Sequence, residues 1–195
     1  MKIVHETAAL RLMSLTDADL LYKIVEEHPE VWTYLTSKMD SRKDMDQYVN
    51  YTLSQYKQGV ELPFVVEDQK TKEIVGSTRL YQISKENKTV ELGHTWYHPK
   101  VQRTSINTEC KYLLLKYAFE ELGMIRVQIK TDLRNLKAQR AIERIGAVKE
   151  GVLRSERQLP DGYVRDAVVY SILEGEWPNV KKLLLEKLAK YKAVK

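Results

Sequence analysis

Between Val90 and Glu120 the chain sets groups able to move a proton beside groups able to hold an anion. Glu91 and His94 lie on an extended apolar stretch, V-E-L-G-H-T-W-Y. A polar loop, Gln102-Arg103-Thr104-Ser105-Ile106-Asn107, follows and opens a helix near Ser105. First-turn N–H groups of a helix lack intrahelical acceptors and the dipole adds a positive end, so this loop is a natural anion site. A base on the adjoining strand would face whatever that anion carries. On a regular strand Glu91, Gly93, Thr95 and Tyr97 share one face, and Leu92, His94 and Trp96 share the other. Glu91 is the first choice of base, acting through a water; its bland alternative is an ion pair with Arg126 or Lys130. His94 is the rival, because imidazole titrates near neutrality; its bland alternative is packing with Leu92 and Trp96.

Other chemistries lack their residues. His5, His28, His94 and His98 show no metal-ligand spacing, and a lone Cys110 cannot build a zinc cluster or an intrachain disulfide, so no metal is expected. Cys110 sits among Tyr112, Leu113 and Leu114 and reads as a buried thiol. No Gly-x-Ser-x-Gly elbow, G-x-x-x-x-G-K loop or G-x-G-x-x-G turn occurs.

The elements that must position these groups follow from periodicity and punctuation. Residues 9–15 read as a first strand, and Thr16 with Asp19 as the cap of a helix whose stripe is Leu20, Leu21, Ile24 and Val25. His28-Pro29 ends that helix. Ser41 caps a second helix reaching Gln58, with Met45, Tyr48, Val49, Thr52, Leu53 and Tyr56 on one side. Strands at Pro63–Glu67, Ile74–Ser84 and Thr89–His98 read as an antiparallel meander. After the central helix come a strand at Ile125–Thr131 and a helix capped by Asn135 with Ala138, Ala141, Ile142 and Ile145 inward. Strands at Val148–Gln158 and Tyr163–Leu173 are joined through Asp161-Gly162, a hairpin signal. A last basic amphipathic helix spans 178–195. Trp32, Tyr34, Tyr48, Tyr51 and Tyr81 are candidates for the rim of an acceptor pocket or for ordinary packing.

Without regular strand–helix alternation, this order implies an α+β fold: one domain over 1–195, with a mixed, mostly antiparallel twisted sheet and helices on both faces. Hydrophobic residues are 43% and charged residues 30%, which places the chain among soluble globular proteins. The formal charge of +5 comes from residues 181–195, where six lysines meet only Glu186; residues 1–180 are formally neutral. Nucleic acid is therefore a candidate partner only through that tail. With no secretion or spanning signal, cytoplasm is the default location, and no membrane role is expected.

Three segments carry a family resemblance: E-L-G-H-T-W-Y-H-P, the loop Q-R-T-S-I-N-T-E, and R-V-Q-I-K-T-D-L-R-N-L-K-A-Q-R-A-I-E-R-I-G-A. Together with the element order they resemble the GNAT superfamily of N-acetyltransferases, in the branch that includes ribosomal-protein N-terminal acetyltransferases. The resemblance implies acetyl-CoA as cosubstrate and direct attack by an amine acceptor in a ternary complex. It further implies that Gly93, Thr95 and Trp96 present backbone to the acetyl and pantetheine groups. Gln102 to Asn107 would cradle the pyrophosphate, and Asn135 would contact CoA. A local bulge in the strand of Glu91 is also expected from the family, and would break the simple alternation of faces. Ser105 and Asn107 replace the small residues usual in the cradle, and Ile142 stands where a tyrosine acid is frequent, leaving Tyr97 as a substitute. A homodimer, a non-catalytic acyl-CoA sensor and an RNA- or ribosome-associated module are the remaining alternatives.

Overall fold

The computed structural model describes residues 1–193. Eight strands pair into one sheet: β1 (Lys2–Val4), β2 (Ala8–Leu12), β3 (Glu61–Asp68), β4 (Ile74–Ser84), β5 (Thr89–Tyr97), β6 (Arg126–Asp132), β7 (Val148–Gln158) and β8 (Val164–Leu173). Their spatial order is β1-β2-β3-β4-β5-β6-β8-β7. Every neighbouring pair is antiparallel except β5 with β6. Five α-helices cover the two faces among the described residues: α1 (Ala18–Glu27), α2 (Arg42–Lys57), α3 (Ile106–Lys116), α4 (Leu136–Arg144) and α5 (Trp177–Ala193). None is long and apolar enough to cross a membrane.

The sheet divides the core in two. On one face α1 and α2 deliver Leu21, Ile24, Met45 and Val49 against Val65 and Trp96. On the other, α3 brings Ile106, Cys110, Leu113 and Leu114 onto Leu10, Phe64, Leu92 and Val127, and α5 closes over them with Trp177, Val180, Leu184 and Leu188. Burying that apolar stripe is what holds α5, since most of a helix's stability in a protein comes from its packed face. Trp177 stacks on Phe119 at 5.5 Å and donates to Glu120.

The local signals that depend on one cap or turn stand. Ser41 accepts from the Asp44 amide, and Asn135 accepts from the Ala138 amide at 3.0 Å. Three expectations change at the N-terminal end. The strand expected at 9–15 is β2, at Ala8–Leu12, and an unexpected β1 precedes it and pairs with it antiparallel. The cap of α1 is not Thr16: Asp17 turns back to take both the amide and the hydroxyl of Ser14, and a 3₁₀ turn precedes the helix. Leu20 leaves the apolar stripe and is 53% exposed, while Ala18 replaces it. At about 100° per residue Leu20 falls at the edge of the face that Ala18, Leu21, Ile24 and Val25 present to the sheet. Tyr56 likewise ends half-exposed, outside the packed face of α2.

Candidate active site

The site begins where β5 and β6 stop pairing. They match at Thr89 with Arg126, Val90 with Val127 and Glu91 with Gln128, and at no position beyond Glu91. On the other side of β5, Arg79 pairs with Gly93 and Ser77 with Trp96, so Thr78 alone faces both His94 and Thr95. That is a β-bulge, and His94 adopts φ 47° to make it. A branched or bulky residue in this region is costly, of order 1–3 kcal/mol, and such strain concentrates where backbone must be re-aimed.

The bulge corrects the face assignment made from alternation. Glu91, Gly93, His94 and Trp96 all lie toward α1 and α2, whereas Val90, Leu92, Thr95 and Tyr97 lie toward α3. One extra residue inverts everything after it. At Gly93 a Cβ would meet the Tyr81 ring at 3.1 Å, so a larger residue there requires that ring to shift.

Beyond the last pair the two strands leave a cavity of about 600 Å³. On the α3 and α4 side its wall comprises Gln102, Arg103, Asn107 and Lys111, then Asn135, Lys137, Ala138 and Ile142. On the opposite side it comprises Glu30, Val31, Tyr34, Tyr81, Lys130 and Arg165. Gly93, His94, Thr95, Trp96 and Tyr97 run along the middle. Two helix N-termini therefore border one opening, and Lys137 ties their loops together by donating to Gln102 Oε1 at 2.6 Å.

Not every residue anticipated for the cradle reaches it. Arg103, at φ 64°, turns the chain into α3, and the next three side chains leave the cavity. Thr104 donates to the Val101 carbonyl, Ser105 bonds Thr7 Oγ1 at 2.7 Å, and Ile106 is buried in the core. Those three do not line the cavity; Gln102, Arg103, Asn107 and Asn135 do.

Glu91 does not line it either. Its carboxylate is buried and receives the Tyr81 hydroxyl, the Gln128 amide at 3.1 Å and the Lys130 ammonium at 3.2 Å. Of the two partners anticipated for it, Lys130 is used; Arg126 instead pairs with Glu150. The Tyr97 hydroxyl is buried beside the Cys110 thiol without a hydrogen-bond partner, and that burial pushes its pKa well above the ordinary phenol value. It is not placed to act as an acid inside the cavity. Among the rim aromatics, Tyr34 and Tyr81 reach the cavity, Trp32 and Tyr48 pack behind it, and Tyr51 is exposed elsewhere.

His94 stacks edge-on against Tyr81, ring centroids 5.1 Å apart, and its Nδ1 is buried without a partner. Burial, reinforced by Arg79, Arg157, Arg165 and Lys130, pushes its pKa well below 6.5, so it is neutral at pH 7. The cavity as a whole is cationic: Arg103, Lys111, Lys130, Arg134, Lys137 and Arg165 face it, against the single carboxylate of Glu30. Arg134 lies 3.6 Å over the Tyr163 ring and is held by Asp132. Lys111 was missed from sequence, hidden in the apolar run C-K-Y-L-L-L; its signal is that it follows Asn107 by one helical turn. The spacing argument also missed that His28 and His98 meet, rings 4.7 Å apart, with Glu27 adjoining; their ligand atoms lie within 4.8 Å of one another.

Comparison with known proteins agrees with this geometry. The family described as acetyltransferase (GNAT) domain matches residues 8–148. The chain belongs to the GNAT acetyltransferase family. This family member is 26% identical, over 187 residues, to a Bacillus subtilis (strain 168) protein named "Putative ribosomal N-acetyltransferase YdaF", covering 91% of this chain and 97% of that one. Its fold superposes on a GCN5-related N-acetyltransferase from Brucella melitensis with TM-score 0.86 and 25% identity, over 95% of this chain and 84% of the other. The microcin C7 self-immunity acetyltransferase MccE, crystallised with acetyl-CoA and AMP, shares the fold at TM-score 0.77 and 20% identity, over 87% and 93%. The GNAT chain described above is thus an acyl-transferring enzyme, an N-acetyltransferase.

Proposed function

We propose that the enzyme takes the acetyl group from acetyl-CoA and passes it directly to the α-amine of a polypeptide. The observation that carries this reading is the cavity through the β5–β6 split, with two helix N-termini on one side and His94, Tyr81 and Tyr34 on the other. The pyrophosphate would lie at Gln102, Arg103, Asn107 and Asn135, where helix dipoles and cations favour it. A neighbour of the same fold crystallised with acetyl-CoA supports acetyl-CoA as the ligand. The amine would enter from the opposite side, past Tyr34 and Tyr81.

An amine must lose a proton before it attacks. The cations Lys130, Arg134 and Arg165 disfavour a second positive charge, which lowers the amine's own pKa on binding. An α-amine needs little such help, since its ordinary pKa is near 8, whereas a lysine side chain titrates near 10.4. Attack then makes the nitrogen a far stronger acid, so even a weak base suffices, and neutral His94 is that base. Glu91 acts through others, fixing Tyr81 and Lys130 at the wall. The name carried by the Bacillus relative points to the same acceptor class.

Steady-state transfer to a panel of amines tests this. Peptides with a free N-terminus are expected to react fastest, N-blocked lysine peptides slowly, and polyamines slowest. Faster transfer to lysine or polyamine would overturn the acceptor; acetyl-CoA binding without any turnover would leave the sensor reading. For the RNA-associated reading, α5 buries its apolar stripe in the core and Lys181 and Lys192 pair with Glu120 and Glu6, so that role would fall to the exposed Lys182 and Lys190. Self-association is assigned to the β7 edge, where Val148, Val152 and Leu153 are 52%, 41% and 47% exposed. Light scattering should give a dimer that Leu153→Lys dissociates; a wild-type monomer would remove that assignment.

A further inference from the structure

Lys111 has no role in the reading above, yet its surroundings are unusual for a lysine. It is only 7% exposed, on the most buried helix of the molecule, and it faces the cavity. Its Nζ donates to Thr95 Oγ1 at 3.0 Å, and Thr95 Oγ1 bonds Thr78 Oγ1 at 2.7 Å. Those two threonines form the bulge. Among the described residues no carboxylate lies within ion-pair distance of it, whereas the cavity cations Lys130, Arg134 and Arg165 each have one. A buried ammonium without a counter-ion is costly unless an anion arrives to meet it.

The position along α3 says which anion. Asn107 marks the end of the helix that would hold phosphate, and Lys111 lies one turn, roughly 5.4 Å, further in. It therefore stands between the phosphate end and the bulge, on the path to the acetyl group. We infer that Lys111 is the acid that receives the sulfur of CoA: its ammonium faces the thioester sulfur and protonates it as the acetyl group leaves. This rests on the acetyl-CoA reading above.

The step balances without another reactant. The amine nitrogen bonds to the carbonyl carbon and gives its proton to His94, which releases it to solvent. The C–S bond breaks, and its electron pair leaves on sulfur. Sulfur takes a proton from Lys111 Nζ, producing the CoA thiol and a neutral lysine that solvent reprotonates. Burial pulls the Lys111 pKa down to about 8, close to that of an ordinary thiol at about 8.5, so the transfer is nearly level. Ile142, where the family often has a tyrosine, has no proton to offer. Thr95 keeps the ammonium aimed while it is charged and accepts the rotation when it is not.

The direct test reads the sulfur and needs no acceptor. Free CoA is bound to wild type, Lys111→Met and Lys111→Gln, and the thiol is titrated by its ultraviolet thiolate absorbance. His94 from β5, Lys130 from β6 and Arg165 from β8 also face the cavity, and Arg134 and Lys137 lie beside α4; all remain in the variants, so their difference isolates Lys111. The chain's own thiol is silent, because burial pushes Cys110 up to about 12. In wild type the bound thiol should titrate about one unit or more lower than in either variant, as an adjacent opposite charge requires. With acetyl-CoA and a peptide acceptor, kcat should fall on the order of a hundredfold in both variants with KM little changed. Equal thiol titration in wild type and variants, with CoA bound, would overturn the role of Lys111 and leave the acetyl-CoA site standing. Failure of wild type to bind CoA at all would overturn both. Lys111→Gln keeps a hydrogen bond to Thr95, so the comparison survives if the methionine packs poorly.

Discussion

Lys111→Met is expected to raise the melting temperature of the protein. A lysine whose pKa falls from 10.5 to about 8 on folding carries a penalty for its charged form of about 3 kcal/mol at pH 7. Methionine fills similar volume on the same buried face of α3 and has no charge to desolvate. Thr95 loses one partner but keeps Thr78. The sign with pH is specific. Below about pH 8 the lysine is protonated in both folded and unfolded chains, and the full penalty applies. Between about 8 and 10.5 the unfolded chain binds the extra proton, so wild-type stability rises with pH relative to the variant. Above 10.5 the lysine is neutral in both states and the gap closes. Paired urea melts of the two proteins at neutral and alkaline pH check it. A variant less stable than wild type at pH 7, or a gap unchanged by pH, would contradict the burial argument. A residue that destabilises the fold and faces a cavity is the pattern expected where stability is traded for chemistry.

Asn107→Glu is expected to weaken CoA binding on the order of a hundredfold while the protein stays folded. Asn107 lies at the open end of α3 and faces the cavity. A carboxylate there meets the incoming phosphates at a few ångströms, and one such repulsion costs about 4 kcal/mol at an effective dielectric of 20. It also takes the positive end of the helix for itself. Calorimetric titration with CoA reads the loss, and added salt should restore part of it. Unchanged affinity would move the pyrophosphate away from α3. Ser105 is the wrong place for this experiment. Its hydroxyl holds Thr7, and Glu109 on the next turn accepts from the Thr7 and Ala8 amides, so a change there disturbs β2 instead.

What could be read from the sequence is what depends on near neighbours. Ser41, Asn135 and the Asp161-Gly162 turn each act within four residues, and each is where expected. β1 was not legible, because three residues, Lys-Ile-Val, have no room to alternate. The return of β8 between β6 and β7 is a long-range choice that no local pattern records. Within the site, the end proposed to hold phosphate was legible from polarity and helix position, except that Thr104 and Ser105 bond the Val101 carbonyl and Thr7 and do not line the cavity. The catalytic side was not. Alternation assigned Glu91 and His94 to opposite faces, and one residue at positive φ puts them on the same one. Lys111, a charge inside an apolar run, was passed over when its isolation was the signal.

The three pairs that join β5 to β6 make this sheet mechanically a split plate. A gap between two strands concentrates load at its apex, where each further opening breaks the next backbone pair. Here the apex is Glu91. Its carboxylate reaches across to Gln128 and Lys130 and back to Tyr81, fastening three strands with one side chain. Those contacts link β4, β5 and β6 at the point where the β5–β6 pairing ends. The opening proposed for acetyl transfer is thus bordered by a residue that does not line it.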